Sequence, residues 1–135
     1  MLFRSERRYR IVRSIPGIGP VAATALVVGL DELGSCSAKQ AAMLAGLAPV
    51  ACDSGDKSAA RHIRGGRGDV RRSLYMAAVS ACRRNPVLKA FYDGLIARGK
   101  RAKVALTAVM RKLVVIANTL ITQDRHWQTQ VPKIA

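Results

Sequence analysis

The chain has 135 residues, 23 Lys and Arg against 8 Asp and Glu, and a formal net charge of +15. That length fits one domain with a single core and excludes a second full one. Half the residues are hydrophobic and only 4% aromatic, which excludes a disordered tail and favours helices packed through small side chains. Sixteen of the cations are Arg, whose planar fork suits bidentate phosphate contacts, so nucleic acid is the expected partner.

Cys36, Cys52 and Cys82 are odd in number, with no CxxC pair and no clustered histidines. Neither a disulfide framework nor a structural zinc site is supported, and a reducing, cytoplasmic setting is expected. Arg4, Glu6, Arg7, Arg8 and Arg10 break up the start of the chain, which lacks the apolar stretch of a signal peptide. The apolar stretch from Val104 to Ile121 is cut by Arg111 and Lys112, which a bilayer would penalise, so it reads as a core helix and no membrane partner is expected.

In chain order, residues 1–13 read as the end of a helix, stopped by the run Ile15-Pro16-Gly17-Ile18-Gly19-Pro20. A second helix is predicted over Val21 to Leu30, ended by Gly29 or Gly34, and a third over Ala38 to Leu47, before Pro49. Residues 49–68 lose the apolar periodicity and read as a loop of functional length. Val70, Leu74, Ala77, Ala78 and Ala81 then recur at helical spacing, predicting a fourth helix with Asp69 as N-cap, running to about Arg84. Asn85-Pro86 reads as an N-cap followed by Pro at the first helical position, with Val87, Leu88, Phe91 and Leu95 on one face and Gly99 closing the helix. A sixth helix spans about Ala102 to Gln123 and is central, with residues 124–135 a frayed tail. The expected fold is all-α, a compact bundle of five or six helices with an N-terminal helix-hairpin-helix and a basic, glycine-containing loop.

Two features carry a binding chemistry. Pro16-Gly17-Ile18-Gly19 between two helices matches a helix-hairpin-helix, in which Gly17 and Gly19 permit a turn whose free amides hold a DNA phosphate; an ordinary helix corner is the alternative. Lys57, Arg61, Arg64, Arg67, Arg71 and Arg72, interleaved with Gly65, Gly66 and Gly68, form a basic run leading into a helix N-terminus, where either phosphate or solvent takes up the charge. Ser54 lies just upstream, where a hydroxyl attacks a phosphodiester if arginines stabilise the developing charge, although a Ser before a Gly is commonly a turn residue. The acids are scattered, with no spacing suggesting a two-metal centre, so no metal or other cofactor is expected on this chain.

Ser14-Ile15-Pro16-Gly17-Ile18-Gly19-Pro20, Leu44-Ala45-Gly46-Leu47-Ala48-Pro49, Asp53-Ser54-Gly55, Ile63-Arg64-Gly65-Gly66, Arg71-Arg72-Ser73-Leu74-Tyr75-Met76-Ala77-Ala78, Asn85-Pro86-Val87-Leu88-Lys89-Ala90-Phe91-Tyr92 and Lys103-Val104-Ala105-Leu106, in that order, resemble the C-terminal transposase domain of bacterial insertion-sequence transposases of the bridge-RNA-guided, serine-nucleophile type. The likeness covers about residues 11–123. It implies that Ser54 is a nucleophile forming a covalent phosphoserine link to DNA, that guide RNA is a further partner, and that the full-length protein is a homo-oligomer. It also implies an N-terminal nuclease-like domain holding a divalent metal such as magnesium on four acids. Residues 1–13 resemble the end of the helix that joins the two halves, 14–123 the transposase C-terminal helical domain, and the chain is expected to be inactive without its other half.

Overall fold

The computed structural model describes residues 2–47 and 67–128. Among these, the chain forms six α-helices and no strand: α1 Leu2–Arg13, α2 Pro20–Gly29, α3 Ala38–Leu44, α4 Arg67–Arg84, α5 Pro86–Ala97 and α6 Ala102–Gln123. The all-α bundle expected from composition is the observed architecture.

The helix ends follow local chemistry. Ser37 caps α3 by accepting from the Gln40 backbone N–H, while the Gln40 side chain accepts from the Ser37 N–H, a reciprocal capping box. The helix is shorter than the predicted stretch to Leu47, because Gly46 turns left-handed at φ 74° and the Leu47 N–H returns to the Ala42 carbonyl. Asn85 caps α5 by accepting from the Val87 and Leu88 amides, and Gly99, at φ 90°, closes it, as the sequence predicts. Val87, however, is exposed, so the buried face of α5 is Leu88 with Phe91 and Leu95 half-buried. Asp69 is not the N-cap of α4: the helix begins at Arg67, and Asp69 sits in its first turn, where a carboxylate favours the helix dipole and accepts a hydrogen bond from Arg72.

The core is one cluster to which all six helices contribute. α6 runs through its centre, burying Ala105, Val109, Leu113, Val114 and Ala117, and packs on α1, α3, α4 and α5. It is long and apolar enough to cross a membrane, at 22 residues and a mean hydropathy of 1.7, but the exposed Arg111 and Lys112 lie on its outer side, with the Lys112 ammonium 4.8 Å from the Phe91 ring centre. α1 joins the same core through Ile11 and Val12.

α2 and α4 approach closely because both present small residues. A Cβ on Gly29 would strike Val70, and Ala22 and Ala23 on α2 are buried, as are Ala77, Ala78 and Ala81 on α4. Arg8, 4% exposed, then closes the far end of α2. Its guanidinium donates to the carbonyls of Leu30, Asp31 and Leu33 at 3.2–3.3 Å and to the Asp31 carboxylate at 3.3 Å. It thus supplies donors to the carbonyls of the turn that follows α2. Asn118 does similar work for the next segment, accepting from the Gly34 N–H at 2.7 Å and donating to the Cys36 carbonyl at 2.9 Å.

The fraying expected from Asp124 is corrected for residues 124–128. Asp124 pairs with Arg7, the Trp127 N–H donates to Ser14 Oγ at 2.9 Å, and the Trp127 ring packs on the core, so an ion pair, a hydrogen bond and the burial of one aromatic together hold this segment down.

Candidate nucleic-acid interface

The turn between α1 and α2 is built around Pro16 and Gly17. The Ile18 N–H donates to the Ile15 carbonyl at 3.1 Å, Pro16 occupies the second position, and Gly17, at φ 106°, the third, the pattern of a type II turn. Ile15 and Ile18 on either side are buried, which anchors the turn to the core. Asn85, fully buried, donates from Nδ2 to the Pro16 carbonyl at 3.1 Å while capping α5 with Oδ1. One side chain therefore fixes both the turn and the α4–α5 junction.

The two glycines have different reasons to be there. A Cβ on Gly17 would lie 2.6 Å from the Cα of Ala81, so the turn sits directly on the α4 backbone. Gly19 is the N-cap of α2 in ordinary extended geometry, φ −93° and ψ −173°, with nothing within 4 Å of an added Cβ. Among the described residues no side chain caps this helix start, and Pro20 has no N–H, so the amides of Val21 and Ala22 at the helix end have no partner there.

That helix start forms one wall of an open groove of about 750 Å³, lined by Gly17, Gly19, Pro20 and Val21 on one side and by Asp69, Arg72, Ser73, Tyr75, Met76 and Ser80 of α4 on the other. Val21, Tyr75 and Met76 are exposed there. The free amides and the positive end of the α2 dipole favour an anion, and Arg72 supplies a cation held in place by Asp69. Arg71, also exposed, adds a charge one residue away.

Of the residues singled out in the sequence, Gly17, Gly19 and Arg72 are thus brought to one groove, with Arg71 beside them on α4. Arg67 opens α4. Ser54, Lys57, Arg61 and Arg64 lie outside the described residues. Three residues of this region were not among the expected binding residues: Asn85, whose capping signal was legible but whose bond to Pro16 was not, and Arg83 and Arg84, exposed in the last turn of α4 just before it.

Burial pushes the Cys36 and Cys82 thiols up from their ordinary value, aided by Glu32 and Asp93 respectively, so neither is a ready thiolate nucleophile. Among the described residues no three His, Cys, Asp or Glu side chains come together to hold a metal ion.

The chain is similar to an insertion element IS110 uncharacterized 43.6 kDa protein of Streptomyces coelicolor, 27% identical over 124 residues that make up 90% of this chain and 31% of that protein. It is 33% identical over 130 residues to a pilin gene-inverting protein of Moraxella bovis, covering 93% of this chain and 40% of that one. It is 34% identical over 114 residues to an insertion element IS900 uncharacterized 42 kDa protein of Mycobacterium paratuberculosis, covering 82% and 28%. The chain therefore spans about a third of the length of the curated relatives it matches. The family model described as transposase IS116/IS110/IS902 matches residues 9–93, from α1 through the groove to α5, and the chain belongs to that family.

Proposed function

We propose that this chain is the DNA-contacting and serine-bearing part of an insertion-element recombinase acting in the bacterial cytoplasm. The observation that carries the reading is the α2–α4 groove, lined both by a helix start that no side chain among the described residues caps and by Arg72, in a chain of net charge +15, inside a family named for transposition. A relative named for gene inversion points to the same class of strand exchange. Backbone amides and arginines hold phosphates without reading bases, so the chain positions a duplex and leaves sequence choice to another component, for which guide RNA is the candidate. Oligomers of the full-length protein bring two DNA partners together.

Ser54 is the nucleophile in this reading. Its hydroxyl attacks the phosphorus of a phosphodiester, a serine phosphate ester forms as the deoxyribose oxygen leaves, and the proton lost by the serine balances the one gained by the leaving hydroxyl. A divalent metal held by the acid-bearing domain that the resemblance implies would assist this step.

Two measurements test the proposal. Duplex binding by the chain, followed from 50 to 200 mM salt, is expected to give a slope of log K on log salt near −5 if about six phosphates are neutralised. A slope near zero overturns it. With the acid-bearing half supplied, Ser54→Ala is expected to abolish the covalent protein–DNA adduct while duplex affinity stays within about twofold, and an adduct that survives removes Ser54 from the chemistry.

A further inference from the structure

The hairpin of α5 and α6 ends in four cations that the fold does not use. Arg98, Lys100, Arg101 and Lys103 fall within six residues, with no acid between Asp93 and Asp124. All four are exposed, and none of their side chains enters an ion pair or hydrogen bond among the described residues. The corner that carries them is fixed. Gly99 is left-handed at φ 90°, its N–H donates to the Ile96 carbonyl at 2.9 Å, and the Lys100 N–H donates to the Leu95 carbonyl at 3.0 Å.

Their placement works against the helix they begin. Arg101 is the N-cap of α6 and makes no side-chain bond to its first amides; the first turn holds Lys103 and no acid. Cations at the positive end of a helix dipole lower its stability, so selection for folding alone would put acids there. An anion docked at the corner reverses the sign of that interaction. The tip also stands clear of the body: Ile96 and Val104 are exposed, and the first buried residue of α6 is Ala105.

Asn85, at the other end of α5, touches Pro16, so the 12 residues of α5 set the tip about 18 Å from the α1–α2 turn at 1.5 Å per residue. That is about twice the Debye length of ~8 Å at physiological salt, so the charges of the tip and the α2 start beside the turn are electrostatically separate. A duplex carries a charge every ~1.7 Å of axis and so lays about ten phosphates along that distance.

We propose that the α5–α6 tip is a second phosphate-binding surface for duplex DNA, distinct from the α2–α4 groove, so that one copy of the chain grips a duplex at two points. This rests on the DNA-binding reading of the groove, and the experiment separates the two. Binding of a labelled 30-base-pair duplex is measured by anisotropy from 50 to 200 mM salt for three proteins: the chain itself, a tip variant carrying Arg98→Gln, Lys100→Gln, Arg101→Gln and Lys103→Gln, and a groove variant carrying Arg71→Gln and Arg72→Gln. The tip variant is expected to bind about tenfold more weakly at 100 mM salt, with a slope shallower by about 2–3, each phosphate contact contributing about 0.9. Its Tm is expected to be equal to or above that of the parent, because like charge leaves the start of α6. Arg98→Lys with Arg101→Lys is expected to keep the parent slope. A tip variant that binds like the parent, beside a groove variant that weakens, overturns this inference and leaves the groove reading standing. If neither weakens, both fail. A tip variant with a lowered Tm assigns the cations to folding and overturns the inference, as does a parent chain whose tip-dependent binding is confined to single-stranded RNA.

Discussion

Gly17 shows how one residue can belong to a turn and to a helix packing surface at once. Its φ of 106° suits the third position of the Ile15–Ile18 turn, and the absence of a Cβ lets the turn lie on the backbone of Ala81. A non-glycine residue held left-handed costs about 1–3 kcal/mol, and forcing a methyl into a packed contact about as much again. Gly17→Ala is therefore expected to lower stability by about 2–5 kcal/mol, read as a fall in the urea midpoint at constant slope. A midpoint within error of the parent would mean that the turn floats free of α4. The consequence for function is direct: weakened DNA binding in a Gly17 variant reports a displaced turn, not a lost phosphate contact. Asn85 is tied to the same turn through Pro16, and its two roles, cap and tether, are divided between Oδ1 and Nδ2.

At the scale of helices, the unused cap of α2 is the informative element. Gly19 has the extended backbone of an N-cap and room for a side chain, yet none of the described residues supplies an oxygen to the amides of Val21 and Ala22. Gly19→Ser provides one, and Ser at an N-cap is better than Gly by a few tenths of a kcal/mol. The variant is expected to melt at or slightly above the parent temperature and to bind duplex DNA several-fold more weakly, because the new hydroxyl takes the amide that a phosphate would use. Unchanged affinity would remove this helix start from the interface. The helices themselves were legible in the sequence because their signals are local: Asn85-Pro86, the glycine at 99 and the spacing of Val70, Leu74, Ala77 and Ala81 need no knowledge of the rest of the chain. What joins them was not. Gly29 against Val70, Arg8 on the carbonyls that follow α2, and Asn118 on Gly34 and Cys36 link residues 22 to 84 positions apart, and no periodicity encodes them. The groove was half legible, since the Pro-Gly turn and the Arg71-Arg72 pair are readable as motifs but their shared wall depends on how α2 crosses α4. The basic tip at Arg98–Lys103 carries no motif in the sequence, being shorter than the glycine-rich basic run at 57–72.

Across the whole molecule, the last described segment is folded back onto the first helix. Arg7 Nε and Nη2 donate to the two carboxylate oxygens of Asp124 at 2.6 Å, over a separation of 117 residues, and Trp127 is bonded to Ser14 close by. The hydrogen bond from Arg7 holds the Asp124 carboxyl below its ordinary range; desolvation opposes it, the charges of Arg7 and His126 act in the same direction as the hydrogen bond, and the Arg7 guanidinium is raised in return. A carboxyl that binds protons less tightly in the folded chain contributes its stability in full above the unfolded value of about 4 and loses it as pH falls through the lower, folded value. The pair is exposed, so its contribution is small and salt-sensitive, and a local reporter is needed to see it. Trp127, the chain's one tryptophan, is half-buried against the core and sits three residues from Asp124. Its emission is expected to stay constant from pH 7 to about 5 and to shift to the red below about 4 as the segment is released, with the far-UV helix signal retained at the onset. Asp124→Asn removes the titrating group and is expected to show a red-shifted emission that is flat across that range. If the parent and Asp124→Asn instead move together, the acid transition belongs to one of the other seven carboxylates, and the Trp127 segment is held by packing alone.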